Sequence, residues 1–195
     1  MNDRNEIQGE LFSRPAKAAR PAGFDYWPDV VSADEEAELA RQLGELPFKP
    51  FEFHGYLGNR RTVSFGLRYD YGRQVVEAAA AMPDCLAGLR DRIAALADIA
   101  PQAFVQALIN EYAPGAGIGW HRDRPQFGLV AGVSLLTPCV LRFRRKAGAG
   151  WERASAKLEP RSAYLLSGPS RREWQHSIPP LETLRYSITF RTLAD

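Results

Sequence analysis

The sequence predicts a mainly β fold, a sandwich or barrel with helices along one flank. Three observations carry this. Beyond Pro101 five short apolar runs follow one another, at residues 105–112, 128–136, 140–144, 163–167 and 185–191. Turn formers separate them, at Pro114-Gly115, Thr137-Pro138, Gly148-Ala149-Gly150, Gly168-Pro169 and Pro179-Pro180. Many short strands at regular spacing point to a sandwich or barrel. The two amphipathic helical patterns both come before Pro101, which places the helices on one side of that β core.

Taken in order, residues 1–22 mix acids, bases and prolines and read as a flexible leader. Residues 23–28 (GFDYWP) read as an extended segment. Ser32-Ala33-Asp34-Glu35 fits a capping box, and Ala37, Ala40, Leu43 and Leu46 follow at helical spacing. Gly44 weakens the last turn, and Pro47 and Pro50 end the helix. A loop rich in aromatics (Phe48, Phe51, Phe53, Tyr56) leads to a strand over residues 60–66, with arginines at its start. Leu86, Leu89, Ile93 and Leu96 mark a second helix after Pro83. No repeat or linker interrupts residues 23–195, which read as one domain. With 195 residues and 45% apolar content, the chain can bury a sizeable core.

The longest apolar runs are too short to span a bilayer. The N-terminus lacks the apolar stretch of a signal peptide, so the expected compartment is the cytoplasm. Two cysteines make no disulfide framework, and Cys85 and Cys139 read as core thiols. A net charge of +2 permits a polyanionic partner without requiring one. A monomer is the default expectation.

The chemistry centres on GWHRDRP, residues 119–125. In an extended stretch residues i and i+2 share a face, so His121 and Asp123 point the same way. An imidazole and a carboxylate side by side make two adjacent ligands for a divalent metal. A third must come from elsewhere, and the remaining histidines are His54 and His176. His54, in the aromatic loop, reads as a solvated loop residue. His-x-Asp with a distant His is the 2-His-1-carboxylate set of non-haem Fe(II) oxygenases, which keeps positions open for co-substrate and O2. The pair alone is weak evidence, because aspartate is common.

The run over residues 185–191 (RYSITFR) strengthens it. Tyr186, Ile188 and Phe190 share one face, and Arg185, Ser187, Thr189 and Arg191 the other. If that second face points into a barrel it must hold an anion, because an unpaired buried guanidinium is costly. The arginines stand about 20 Å apart along a strand, suited to the two ends of a small dicarboxylate. Asn110 and Tyr112, again i and i+2, offer a further donor pair. An open metal position beside such a cradle suggests 2-oxoglutarate.

Together, Asn110-x-Tyr112, His121-x-Asp123, His176 and the arginine-flanked tail resemble the AlkB family of Fe(II)/2-oxoglutarate dioxygenases. The stretch from Arg61 to Gly66 with Tyr69 and Tyr71, and Gly23-Phe24-x-Tyr26, are similar too. The resemblance implies a double-stranded β-helix (jelly-roll) core with an N-terminal substrate lid. It implies Fe(II) on His121, Asp123 and His176, and 2-oxoglutarate on Asn110, Tyr112, Arg185, Ser187 and Arg191. It also implies oxidation of N-alkyl groups on a single-stranded or flipped nucleic-acid base, with Arg61, Tyr69 and Trp120 as substrate contacts. Ser187 stands where asparagine is common. Pro125 stands where base-repair members usually carry an acid against the flipped base, which leaves RNA or protein open as substrate.

Aromatics available to stack a base are Phe51, Phe53, Tyr56, Tyr69 and Trp120, most of which are expected to serve lid and core packing. Arg60, Arg61, Arg142, Arg144, Arg145, Lys146, Arg171 and Arg172 suit phosphates or a solvated, aggregation-resistant edge. The expected activity is therefore oxidative demethylation of N-alkylated bases. Oxygenation of a protein or small molecule is the alternative, and a binding module without turnover the third reading.

Overall fold

The computed structural model describes residues 20–53, 56–70 and 72–194, with the backbone alone at 52, 53 and 56–58. Most of the leader expected over residues 1–22, His54, Tyr71 and the side chains of Phe53 and Tyr56 lie outside the described residues. The N-terminal part runs β1 (Phe24–Trp27), α1 (Ala33–Gly44), β2 (Lys49–Phe53), β3 (Tyr56–Asp70), β4 (Val75–Ala78) and α2 (Ala87–Leu96). Then follow β5 (Gln106–Tyr112), β6 (Ile118–His121), β7 (Phe127–Leu135), β8 (Cys139–Ala147) and β9 (Gly150–Leu158). The last elements are β10 (Ser162–Leu166), α3 (Gly168–Arg172), β11 (Gln175–Ile178) and β12 (Arg185–Leu193).

These strands form a large sheet, β1-β10-β7-β12-β5-β3-β2 with β4 against β3, and a small one, β6-β11-β8-β9. From β5 onward the chain winds between them: β5, β7, β10 and β12 lie in the large sheet, and β6, β8, β9 and β11 in the small one. Their pairings are antiparallel. This winding is the double-stranded β-helix.

The large sheet is buried on both faces. One packs on the helices, where Leu39, Leu43, Leu86 and Ile93 meet Ile109, Val133 and Ile188. The other faces the small sheet across Leu141, Phe143, Leu158, Leu166 and Trp174. The alternation of β12 serves both: Tyr186, Ile188 and Phe190 turn to the helices, while Ser187, Thr189 and Arg191 line the interior.

The helix start at Ser32 is built as its sequence dictates. The Ser32 hydroxyl accepts from the Glu35 N–H at 3.1 Å, and the Glu35 carboxylate accepts from the Ser32 N–H at 2.8 Å. Glu35 also receives Arg92 of α2 at 2.8 Å, which ties the helices together. The buried face differs from the predicted one: Leu39 and Leu43 carry it, and Ala37 is exposed.

The aromatic stretch expected as a loop is instead strand β2 and the start of β3, paired with each other, and β4 and β11 also lie outside the expected runs. Two strands also outrun their sequence signals. β9 was absent from the predicted runs because its inward residues include Ala154 and Ala156, which add little to an apolar pattern. β3 is far longer than the predicted 60–66 stretch. It pairs with β5 through Gly66 and with β4 from Leu67 onward. Gly66 makes the change of partner possible, with φ of +73° and no room for a Cβ, which would lie 2.2 Å from the Val105 carbonyl oxygen. Among the described residues no helix is long and apolar enough to cross a membrane.

Candidate active site

The small sheet brings the two histidines together. β6 and β11 pair with His121 opposite His176, their ring centroids 4.3 Å apart. Asp123 follows two residues past the end of β6. The three side chains place one ligand atom each within 4.8 Å of one another, a group able to hold a metal ion. His121 Nδ1 lies 2.9 Å from the Gly119 carbonyl oxygen. Donation there leaves Nε2 as the ligand atom. His176 Nε2 lies 3.5 Å from Asp123 Oδ2.

Asp123 is held at its other oxygen. Arg191 donates to Oδ1 from Nε at 3.0 Å and from Nη2 at 2.5 Å, and its Nη1 donates to Gln106 at 2.9 Å. Oδ2 is thereby left for the histidine side. Burial opposes ionisation of Asp123, yet Arg191, with His176, His121 and Arg171, holds its carboxyl well below the usual carboxylate range. Burial, then the neighbouring His121, pushes the His176 imidazole down to about 3. Burial also lowers His121, against the opposing pull of Asp123. Both imidazoles are thus kept neutral, as metal ligation requires.

A residue outside the predicted ligand set fixes the backbone here. Arg171, on α3, is buried and donates to four carbonyl oxygens: Gly128 at 2.9 Å, Asp123 at 3.3 Å, Arg124 at 2.6 Å and Phe127 at 2.5 Å. The sequence offered Arg171 as a phosphate contact. The structure makes it the clamp of the loop that carries Asp123, because its donors are already satisfied by backbone.

On the large sheet the pairing of β12 with β5 sets Arg185 opposite Tyr112 and Ser187 opposite Asn110. Asn110 Nδ2 reaches Ser187 Oγ at 3.4 Å. Arg185 is fully buried. It donates to the Ser134 hydroxyl from Nε at 3.2 Å and Nη2 at 3.0 Å, and its charge lies 5.1 Å from the Tyr112 ring centroid. Its Nη1 has no hydrogen-bond partner among the described residues. A buried guanidinium whose contacts among the described residues are a hydroxyl and a ring calls for an anion; Arg185 itself does not line the cavity, whereas its neighbours Tyr112 and Ser187 do. Arg191, expected at the other end of such an anion, is engaged by Asp123 and Gln106. Nearby, the Tyr164 ring lies over Gly132, where a Cβ would come within 2.2 Å of it.

The triad opens into a cavity of about 1200 Å³. Asn110, Tyr112, Ser187 and Arg191 line it, as do Tyr69 and Trp120. Arg61 does not. It points to the helix side, paired with Glu111 at 2.7 Å and lying over Phe48 at 5.6 Å, and Arg60 lines the cavity instead. With a side-chain period of two, choosing the adjacent arginine selects the opposite face. Sequence reading also missed Gln106, Ser134 and Tyr164. The alternation of residues 106, 108, 110 and 112 along one strand was the available signal for Gln106.

Two imidazoles and one carboxylate on the inner wall of a double-stranded β-helix, beside a buried cation, define a mononuclear non-haem iron oxygenase site. Comparison with known proteins agrees. Residues 23–191 match the model of the 2OG-Fe(II) oxygenase superfamily. The "Alkylated DNA repair protein ALKBH8 homolog" of Arabidopsis thaliana is 26% identical over 181 residues, covering 80% of this chain and 51% of that protein. The "Probable RNA/DNA demethylase ALKBH6" of Danio rerio is 34% identical over 152 residues, covering 77% of this chain and 61% of that protein. The chain therefore spans between half and two thirds of these two relatives. A solved structure described as that of OsALKBH1 superposes with a TM-score of 0.69 at 16% identity, over 89% of this chain and 98% of the other. This chain belongs to the 2OG-Fe(II) oxygenase superfamily, and within it to the AlkB family. It is an Fe(II)- and 2-oxoglutarate-dependent dioxygenase.

Proposed function

We propose that the protein removes N-alkyl groups from nucleic-acid bases, in single strands or flipped from a duplex. The observation that carries this is the lining of the cavity. Beside the triad stand two ring–arginine pairs, Phe51 with Arg60 at 3.8 Å and Tyr69 with Arg124 at 4.7 Å, together with Arg122; rings and guanidinium groups set side by side suit a base and its phosphate. Its volume of about 1200 Å³ exceeds what a co-substrate alone needs.

In this reading His121, Asp123 and His176 hold Fe(II), and Arg191 fixes the Asp123 carboxylate. Arg185, with Tyr112, Asn110 and Ser187, holds a carboxylate of 2-oxoglutarate. When bound, iron, 2-oxoglutarate and O2 supply the oxidation of an unreactive C–H bond, releasing succinate and CO2. A hydroxylated N-methyl group then leaves as formaldehyde. The chain's part is to orient the base and exclude water. Residues of the β2–β3–β4 extension (Phe51, Arg60, Tyr69) border the cavity, and we assign this extension as the substrate lid. The names of the two relatives support a nucleic-acid substrate.

The test is mass spectrometry of single-stranded DNA and RNA oligonucleotides carrying N1-methyladenine or N3-methylcytosine. Each is incubated with protein, Fe(II), 2-oxoglutarate and ascorbate, with His121→Ala as control. A mass loss of one CH2 that disappears in the variant is the expected result. Succinate without demethylation refutes the base assignment and points to a protein or small-molecule substrate, the reading that Pro125 favours.

A further inference from the structure

The outer face of the small sheet is not accounted for by the active site. Along β8, Leu141 and Phe143 turn inward, and Arg142, Arg144 and Lys146 outward. Arg144 lies between two tryptophans, 4.5 Å from the Trp120 ring centroid and 4.4 Å from that of Trp151. Arg142 lies 5.3 Å from Trp120, and the Lys146 ammonium 4.5 Å from Trp151. A ladder of alternating cations and indoles thus crosses the small sheet from β6, over β11, to β8 and β9.

The pairing of these cations separates them from most other arginines on the surface. Arg41, Arg68 and Arg92 are each matched to a carboxylate. On this face Arg142 donates to the Ser177 hydroxyl at 3.1 Å and Arg144 to the Gln175 side-chain oxygen at 2.8 Å. Both acceptors are neutral. The nearby carboxylates of Glu152 and Glu173 are taken by Arg145. Positive charge is left over, and the tryptophans and glutamine hold it in fixed positions. Protecting an edge strand from aggregation needs charge but no exposed tryptophan, which works against it. Trp151 is 38% exposed on β9, the edge strand.

The ladder is continuous with the cavity, because Trp120 lines the cavity on the strand that carries His121. From β6 to β9 the sheet spans about 14 Å, room for a few nucleotides beside the one in the cavity. We propose that the outer face of the small sheet is a track for the single strand flanking the target nucleotide, its phosphates on Arg142, Arg144 and Lys146 and a base on Trp151. This rests on the nucleic-acid reading of the cavity and adds where the rest of the strand runs. Recognition on this track is by charge and stacking, so it is tolerant of sequence.

The test uses the full chain with Mn(II) and 2-oxoglutarate under anaerobic conditions. Fluorescence anisotropy measures binding of labelled single strands of increasing length, across a salt series. The variants are Trp151→Ala and the charge reversal Lys146→Glu with Arg153→Glu; Arg153 stands opposite Arg144 on β9, on the face of Trp151, and both reversed side chains are exposed. Circular dichroism and succinate formation without substrate check that each stays folded and loaded. The wild type is expected to gain affinity with length. Trp151→Ala is expected to lose at least about fivefold on long strands, and the charge reversal to flatten the salt dependence by a slope of about 1. The shortest strands are expected to bind all forms alike. Long strands that bind wild type and variants equally overturn the track and leave the cavity reading standing. Equal binding of an abasic strand of the same length overturns the stacking role of Trp151. No binding of any strand to the wild type overturns both, and an acidic peptide that competes better than the strand assigns the face to protein.

Discussion

Arg185 offers the sharpest test of the anion cradle. It is fully buried, two of its nitrogens share one hydroxyl, and Nη1 is unsatisfied. Replacement by methionine keeps most of the volume and removes the charge. In the ligand-free protein this loses the hydrogen bonds to Ser134 and relieves an unsatisfied donor that costs about 1–3 kcal/mol. The two nearly offset, so Tm should move by no more than about 2–4 °C in either direction, the equivalent of about 1 kcal/mol for a chain of this size. The ligand-bound protein should differ sharply. Losing one partner of a buried ion pair costs about 3–5 kcal/mol, which weakens 2-oxoglutarate by two to three orders of magnitude or more. At about 100 times its dissociation constant the ligand stabilises the wild type by about 2.7 kcal/mol, a shift of roughly 5–10 °C. Thermal melts with Mn(II), with and without 2-oxoglutarate, read both effects. Arg185→Met should melt near the wild type alone and show no ligand shift. A variant that melts far lower while keeping the shift would refute the assignment.

Arg171→Ala should free the loop that carries Asp123 and weaken metal binding by roughly 10–100-fold, measured by Mn(II) titration followed by electron paramagnetic resonance. Arg60→Ala should raise KM for the nucleic-acid substrate and Arg61→Ala should not, since Arg60 lines the cavity and Arg61 pairs with Glu111 on the far face; steady-state kinetics of both decides. The His176 imidazole falls from 6.5 to about 3 on folding. The unfolded chain then binds more protons between those values, so the metal-free protein should be stable above about pH 6.5 and lose stability progressively as acid is added toward pH 3; urea denaturation across pH measures this. Gly132→Ala should lower Tm and weaken 2-oxoglutarate, because the new methyl meets the Tyr164 ring; calorimetry reads both.

Much of the site was legible because strand periodicity carries it. Asn110 with Tyr112 and Ser187 with Arg191 share faces by alternation alone, and the structure sets each pair inward. The histidine count left His54 and His176 as candidates for the third ligand, and the resemblance to the AlkB family selected His176. What stayed hidden depends on tertiary placement. Nothing local marks Arg171 as a clamp rather than a phosphate contact, for its four acceptors are backbone carbonyls more than 40 positions earlier. Arg60 and Arg61 are equivalent until the register of β3 against β5 is known. β9 escaped because alanine is a weak apolar signal, and β3 because its partner changes at Gly66.

The central position of β12 makes three parts of the molecule depend on one strand. It joins β5 to β7, and is the last of the sheet strands in chain order. Without residues 185–193 the large sheet would fall into two unjoined sets of strands, β1-β10-β7 on one side and β5-β3-β2 on the other. The same strand carries Arg191, which holds the Asp123 carboxylate, and Arg185, the buried guanidinium with an unpartnered Nη1. Whatever frays this one strand therefore loosens the sheet, the metal triad and the proposed anion cradle together.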